Sequence, residues 1–288
     1  MELIHIKHPI KARFYKEFAK PCVIALGFFD GVHLGHKHLI QTAKNIAMKK
    51  GLPLYVMTFF PHPQQVFTGK AMTYITPLSD KAKIMQALGV DRVIIVEFDS
   101  LFASLSPDMF VEHYLHKLHC NHAVAGFDFH YGCKGAGTIH TLKEQKFEVT
   151  EITPFTMKGE KVSSTFIRKL MDAGEWEQVS ELLGREHETS ATVLSTWKSR
   201  TGPHYSQLEI NEEYRRIPDG FYELEIKAKD RSWICSCYSM LESNGPVLVE
   251  GYGFTFLKNE SVRILWKRKI SSVMPEDHLQ QITLMKAK

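Results

Sequence analysis

The sequence predicts an α/β fold, a doubly wound parallel sheet followed by a small antiparallel β-barrel, and three observations carry that expectation. Short apolar runs alternate with helical patterns through the first half of the 288 residues. From about Glu186 the pattern changes to alternating and aromatic-rich runs separated by turn residues. In the first half, each polar or glycine-rich stretch that looks chemical follows a strand-like run. Those are the positions at which an open parallel sheet binds ligands.

Residues 23–26 read as a short buried strand, and 39–50 as a helix with a lysine-rich end before Gly51. A second strand over 54–59 breaks at Phe60-Pro61-His62-Pro63, where two prolines predict a rigid extended loop. A helix over 79–88 closes at Gly89 and a third strand spans 92–98. Ser106-Pro107 then predicts the capped start of a helix reaching about His119. Residues 123–126 and 147–152 complete five strands of a Rossmann-like sheet.

In the second half, 205–210, 221–228, 232–241, 247–252 and 262–267 read as barrel strands. Pro218-Asp219-Gly220 and Asn244-Gly245 supply turns, and 275–287 reads as a short helix. Arg263, Lys267, Arg268 and Lys269 cluster ahead of it and are expected to form a solvated basic edge. The domains are therefore expected at 1–185 and 186–288.

Composition narrows the function classes. Hydrophobic residues make up 44% and charged residues 24%, an ordinary globular balance rather than a disordered one. A formal charge of +4 suits anionic small substrates and lacks the clustered basic footprint of a nucleic-acid binder. Cys22, Cys120, Cys133, Cys235 and Cys237 are odd in number and lack C-x-x-C spacing, so neither a disulfide framework nor a zinc site is indicated. Cys235 and Cys237 alternate in a strand pattern and should face one way. No stretch resembles a signal peptide or reaches membrane-spanning length, so a cytoplasmic protein with no membrane partner is expected. Oligomeric state is left open.

The stretch GFFDGVHLGH at 27–36 runs from an apolar strand through a glycine-rich turn to a helix start near Lys37. Such a layout binds phosphate, because backbone N–H groups and the positive end of the helix dipole face the ligand. His33 and His36 can share one side of the first turn and donate to a phosphate whose charge grows during reaction, while Gly35 lets it approach the backbone. A third loop, GFDFHYGCKGAG at 126–137, mixes four glycines with Phe129 and Tyr131, which either offer stacking faces to a ring or cap the core. Asp128 either orients a ring or ribose or caps a turn. In VSSTFIR at 162–168, Ser163, Ser164 and Thr165 are N-cap types before an amphipathic run, and Arg168 lies one turn in. That stretch reads as a plain capped helix or as a second phosphate-holding terminus.

Taken together, GFFDGVHLGH, the FPHP loop, GFDFHYG and VSSTFIRKLMDAG ending in LLGR resemble the bacterial FAD synthetase family over about residues 20–185. Its N-terminal domain is an adenylyltransferase of the H-x-G-H nucleotidyltransferase type. The resemblance implies transfer of AMP from ATP to FMN, giving FAD and pyrophosphate with Mg²⁺ carried by the ATP phosphates. It implies that His33, His36 and Arg168 are catalytic. Gly27, Phe28, Asp30, Gly35, Ser163, Ser164 and Thr165 would serve ATP, and His62, Pro63, Phe67, Asp128 and Tyr131 would serve FMN. Phe60 departs from the family, which usually has an acidic residue there.

In two-domain members the second half is a riboflavin kinase, and Ile217-Pro-Asp-Gly-Phe-Tyr222 resembles its strand entry. The kinase signature G-x-P-T-A-N is missing, since residues 200–208 read RTGPHYSQL. Glu250 falls near the expected position of the kinase's catalytic glutamate, but the stretch after it is shortened. A kinase-like barrel without kinase activity is therefore expected. The competing readings are a bifunctional kinase and adenylyltransferase, the same chemistry on a nicotinamide or pantetheine phosphate, and a flavin-sensing regulator.

Overall fold

A computed structural model describes residues 1–16, 20–198, 202–239 and 246–271. The chain divides into two compact units, Met1–Ser163 and Ser164–Lys288.

The first unit is a six-stranded sheet. Its strands are β1 (Glu2–Ile6), β2 (Cys22–Leu26), β3 (Leu54–Phe60), β4 (Arg92–Glu97), β5 (Cys120–Gly126) and β6 (Glu148–Ile152), in the order β1-β4-β3-β2-β5-β6. Every neighbouring pair is parallel. Because the sheet is covered on both faces, its central strands are apolar at successive positions rather than at alternate ones. Ile24 and Leu26, Tyr55 and Met57, and Ile94 and Val96 face one core, while Val23 and Ala25, Leu54 and Val56, and Val93 and Ile95 face the other.

Four helices matter for the site. They are α1 (Leu34–Lys50), α2 (Pro63–Thr68), α3 (Leu78–Ala87) and α4 (Pro107–Val111). α1 buries Leu39, Ile40, Ala43 and Ala47 and ends at Gly51, which takes the left-handed conformation at φ 64°. α4 starts where Ser106 caps Met109 N and continues as a π-turn through Glu112–His116.

Two features of this unit differ from the sequence-based expectation. β1 lies among charged and histidine residues and pairs only with β4, so one buried position in two sufficed and no apolar run announced it. The FPHP stretch is not an extended loop. His62 accepts from Gln64 N and caps α2, and Pro63 occupies the first helical turn, where its missing N–H costs nothing.

The second unit opens with α5 (Ser164–Ala173) and α6 (Trp176–Leu183) and continues as a closed antiparallel barrel. The barrel strands are β7 (His187–Lys198), β8 (His204–Ile210), β9 (Gly220–Ala228), β10 (Arg231–Ser239), β11 (Val247–Gly251) and β12 (Ser261–Ser271), closing in the order β7-β8-β11-β10-β9-β12. Alternation is clean in β9, which buries Tyr222, Leu224, Ile226 and Ala228. Cys235 and Cys237 are both buried. β7 escaped the sequence reading because its inward side is built from His187, Thr189, Ala191 and Val193, which are small or polar.

The packing units part about one helix pair before residue 185, because α6 seats Trp176 on the barrel. Its ring stacks on His187 at 5.3 Å and lies 5.6 Å from Trp266. Three of the four basic residues are paired with acids: Arg263 with Glu188, Lys267 with Glu186 and Glu225, and Arg268 with Glu223, while the Lys269 ammonium lies 6.0 Å from the centre of the Tyr222 ring. The Asn244-Gly245 turn and the 275–287 helix lie outside the described residues.

Trp266 is fully buried and donates from Nε1 to Thr189 Oγ1 at 3.1 Å. Trp266→Ala is expected to cost the barrel about 3–5 kcal/mol. Urea unfolding followed by far-UV circular dichroism should show a lower midpoint with an unchanged slope.

Candidate functional site

Sheet order places the site. Connections run from β2 outward through β3 to β4 on one side, then cross to β5 on the other, so the order reverses between β2 and β5. A crevice outside the carboxyl ends of the strands is expected at such a reversal. The turn after β2 and the loop after β5 flank it.

The β2–α1 turn is a demanding piece of backbone. Phe29 and Val32 hold φ of 56° and 39°, and Gly31 holds 83°. Left-handed conformations at non-glycine residues cost about 1–3 kcal/mol each and persist only where surroundings fix them. Phe29 and Val32 are buried in the core beneath α1. Gly27 is required by this packing, because a Cβ there would sit 2.9 Å from Phe29 Cζ. Asp30 is 1% exposed and accepts from the backbone N–H groups of Ile75 and Thr76 at 3.3 and 3.1 Å. The Phe28 carbonyl accepts from Thr58 Oγ1 at 2.9 Å and from Lys81 Nζ at 2.8 Å. Asp30 and Phe28 thus shape the turn.

Two histidines follow on the rim. His33 caps α1, its Nδ1 accepting from His36 N at 3.3 Å. A neutral His33 therefore carries its proton on Nε2. The His36 ring stacks on His33 with centroids 3.6 Å apart and planes 17° from parallel, and its other neighbour is the edge of Phe29. His36 Nδ1 is buried and finds no hydrogen-bond partner among the described residues. A proton there would be an unpaired buried donor, so Nε2 carries it in His36 too. Burial, and after it the nearby His33 and Lys81, hold the His36 pKa well below 6.5. The pair is therefore two neutral N–H donors at the start of a 17-residue helix, a combination suited to phosphate oxygens. Gly35 leaves room for the stack, because a Cβ there would press on the His33 ring at 3.2 Å.

Beside the turn, the Phe28 ring takes His62 edge-on at 4.5 Å, Tyr74 at 6.3 Å and the Lys81 ammonium at 4.6 Å. Tyr74 Oη accepts from His62 N at 3.1 Å. The Phe60 ring lies 5.9 Å from Tyr74, so an aromatic contact occupies the position at which the resemblance led us to expect an acid. Phe67 is 70% exposed, edge-on to Phe98.

The loop after β5 is ordered by a short hairpin pairing His130–Tyr131 with Gly137–Thr138. Asp128 is exposed and paired with Lys161 at 2.9 Å. Tyr131 is buried among Phe110 and Phe129, with its hydroxyl on Thr141 Oγ1 at 2.9 Å. In this arrangement it caps the core, and Gly137 is fixed as glycine by the ring's approach to 2.5 Å of its Cβ position. Ser163 ends the first unit. Ser164 and Thr165 form the first turn of α5, whose Ile167, Leu170 and Met171 are buried, and Arg168 follows one turn in.

Sequence reasoning missed Lys81. It lies on α3 between Leu78 and Met85, at helical spacings of three and four, so periodicity alone put it on the apolar face. No apolar pattern marks Thr58 or Tyr74 as contacts of the turn. Among the described residues, no group of three or more His, Cys, Asp or Glu side chains could hold a metal ion.

Residues 15–166 match the FAD synthetase family. A bifunctional riboflavin kinase/FMN adenylyltransferase of Listeria monocytogenes is 39% identical over 92% of this chain and 82% of its own length. The Bacillus subtilis protein of the same name is 35% identical over 98% of this chain and 94% of its own. Among solved structures, one titled as a macrolide-efflux protein from Streptococcus pneumoniae aligns with TM-score 0.83 at 24% identity, covering 100% of this chain and 97% of that one. At that identity the likeness concerns the fold alone.

A neutral His36 has a testable consequence. Its folded pKa is below the unfolded value near 6.5, so below that pH the unfolded chain binds the extra proton and stability falls with pH. The difference in urea midpoint between wild type and His36→Gln should shrink from pH 7 to pH 5. A constant difference would contradict a neutral His36.

Proposed function

The chain belongs to the FAD synthetase family and is an FMN adenylyltransferase, and from that premise we propose that it transfers AMP from ATP to FMN without phosphorylating riboflavin. Residues 1–185 carry the transfer and 186–288 form a barrel lacking kinase activity. The observation that carries the reading is the stacked His33–His36 pair at the N-terminus of α1.

The chemistry asks for little else. The FMN phosphate is already anionic, so one of its oxygens attacks the α-phosphorus of ATP without a strong base. A new P–O bond forms as the bond to the bridging oxygen breaks, and pyrophosphate leaves with the electron pair. Positioning and stabilisation of the growing negative charge supply the rate. His33 and His36 donate to the phosphates, Gly27, Phe28, Asp30 and Gly35 set the turn that presents them, and Ser163, Ser164, Thr165 and Arg168 bind phosphate. His62, Pro63, Phe67, Asp128 and Tyr131 are assigned to FMN. The Tyr131 contact requires its present core packing to open. Mg²⁺ bound to the ATP phosphates would screen their charge.

Absence of kinase activity rests on the missing G-x-P-T-A-N signature and the shortened stretch after Glu250. Glu250 lies on β11, opposite Tyr205 and Ser236 in the ladders. No helix among the described residues is long and apolar enough to cross a membrane. All five cysteines are unpaired, which supports a reducing compartment, the cytoplasm.

The test is chromatography of flavins after incubating the protein with ATP and Mg²⁺, with FMN in one reaction and riboflavin in the other. FAD from FMN and unchanged riboflavin is the expected result. FMN or FAD from riboflavin would overturn the single-activity reading. His36→Ala should lower FAD formation about 100- to 1,000-fold, the range for loss of one transition-state donor.

A further inference from the structure

We infer that Lys81 is a positioning residue for adenylyl transfer: its buried ammonium clamps the Phe28 carbonyl and holds the histidine-bearing turn in its left-handed form. The inference deepens the adenylyltransferase reading and rests on it.

A lysine is a poor choice for the inner face of α3. Lys81 is 3% exposed. Its neighbour Lys83, two residues on, reaches solvent and pairs with Asp80. Removing an ammonium from water costs several kcal/mol even after relaxation, and a leucine or methionine would fill the same space without that cost. A local rule broken at one buried position, beside a site, points to a function at that position.

The contacts say which. Lys81 Nζ donates to the Phe28 carbonyl at 2.8 Å and lies 4.6 Å from the centre of the Phe28 ring. That carbonyl belongs to the peptide leading into Phe29, whose φ of 56° is the first left-handed step of the turn. The Phe29 ring meets His36 edge-on at 5.3 Å and occupies the space that a side chain on residue 27 would need. A rigid path therefore runs from Lys81 through Phe28 and Phe29 to His36. A second path is electrostatic, since the positive charge of Lys81 helps to lower the pKa of His36. The titratable groups that interact with the Lys81 charge are Asp30 on the turn and His36 on α1, and His62 and Tyr74 pack against the Phe28 ring that the ammonium also meets.

Burial pulls the Lys81 pKa down to about 8, with Asp30 opposing the shift. The charge therefore titrates just above neutrality, and two consequences run in opposite directions. Activity should fall as pH rises through about 8, because the ammonium is lost. Stability should gain in the same range: the folded pKa lies below the unfolded value of 10.5, so between the two the unfolded chain binds more protons and folding is favoured as pH rises. A purely structural lysine would make activity follow stability.

The experiment measures kcat/KM for FAD formation from ATP and FMN between pH 6.5 and 9.5 for wild type, Lys81→Arg and Lys81→Met, with urea midpoints at each pH. Wild type should lose activity above about pH 8 while its midpoint rises relative to that of Lys81→Met. Lys81→Arg, which keeps its charge throughout, should lack that fall. Lys81→Met should be down about 100-fold, the scale of a small misplacement of reacting groups, and flat with pH. The inference is overturned if Lys81→Met stays within threefold of wild type or if Lys81→Arg keeps the limb near pH 8. A wild-type activity that rises with stability above pH 8 overturns it with no variant required. Failure of wild type to make FAD at any pH would instead overturn the adenylyltransferase reading itself.

Discussion

The structure of the first unit depends on how one strained turn is held. A parallel sheet can bring the N-terminus of α1 to its carboxyl edge by many routes, but stacking two imidazoles there requires the chain to pass through left-handed conformations at Phe29, Gly31 and Val32. Three anchors offset that cost. Phe29 and Val32 are sealed in apolar core, the Asp30 carboxylate takes two backbone N–H groups from 75 and 76, and the Phe28 carbonyl takes the Thr58 hydroxyl and the Lys81 ammonium. The anchors on Asp30, together with Lys81, come from one segment, the approach to α3 and its first turn. That segment acts as the underside of the site although none of it belongs to a recognisable motif.

This division explains what could be read from the sequence. Central strands were legible because burial on both faces makes them continuous apolar runs, as in Cys22–Leu26 and Leu54–Phe60. Strands β1 and β7 were not, because an edge strand needs few buried positions and a barrel interior accepts Thr189 and Ala191 as readily as leucine. The histidine pair was legible because its chemistry lies within four residues. Lys81, Thr58 and Tyr74 were not, because each reaches the turn from a distant part of the chain. Tyr131 shows the opposite case. Glycine and aromatic composition left stacking face and core cap equally open, and only three-dimensional packing places its ring against Phe110 and Phe129.

The barrel separates fold from chemistry. Its core is well filled: Tyr222, Leu224, Ile226, Ile264 and Trp266 are fully buried, and Arg263, Lys267 and Arg268 on its edge pair with acids. None of this depends on whether a phosphoryl-transfer site exists in the loops. The relatives that match along most of the chain are named for two activities, and the interior packing of a barrel is separable from any chemistry carried by its loops.

Electrostatics ties the turn to its reaction. Burial lowers the pKa of a base whichever side chain carries it, and here it acts on both His36 and Lys81. The result before any substrate enters is a single buried cation beside two neutral imidazoles, where three cations close together would repel one another and strain the turn. Neutral imidazoles are fixed dipoles with their protons on Nε2, so they can meet the phosphates without shedding or taking up a proton. The Lys81 ammonium is engaged by the Phe28 carbonyl and contributes positive potential at His36. A site arranged in this way has its donors set before charge begins to move, which is the condition under which hydrogen bonds lower a barrier rather than merely tighten binding.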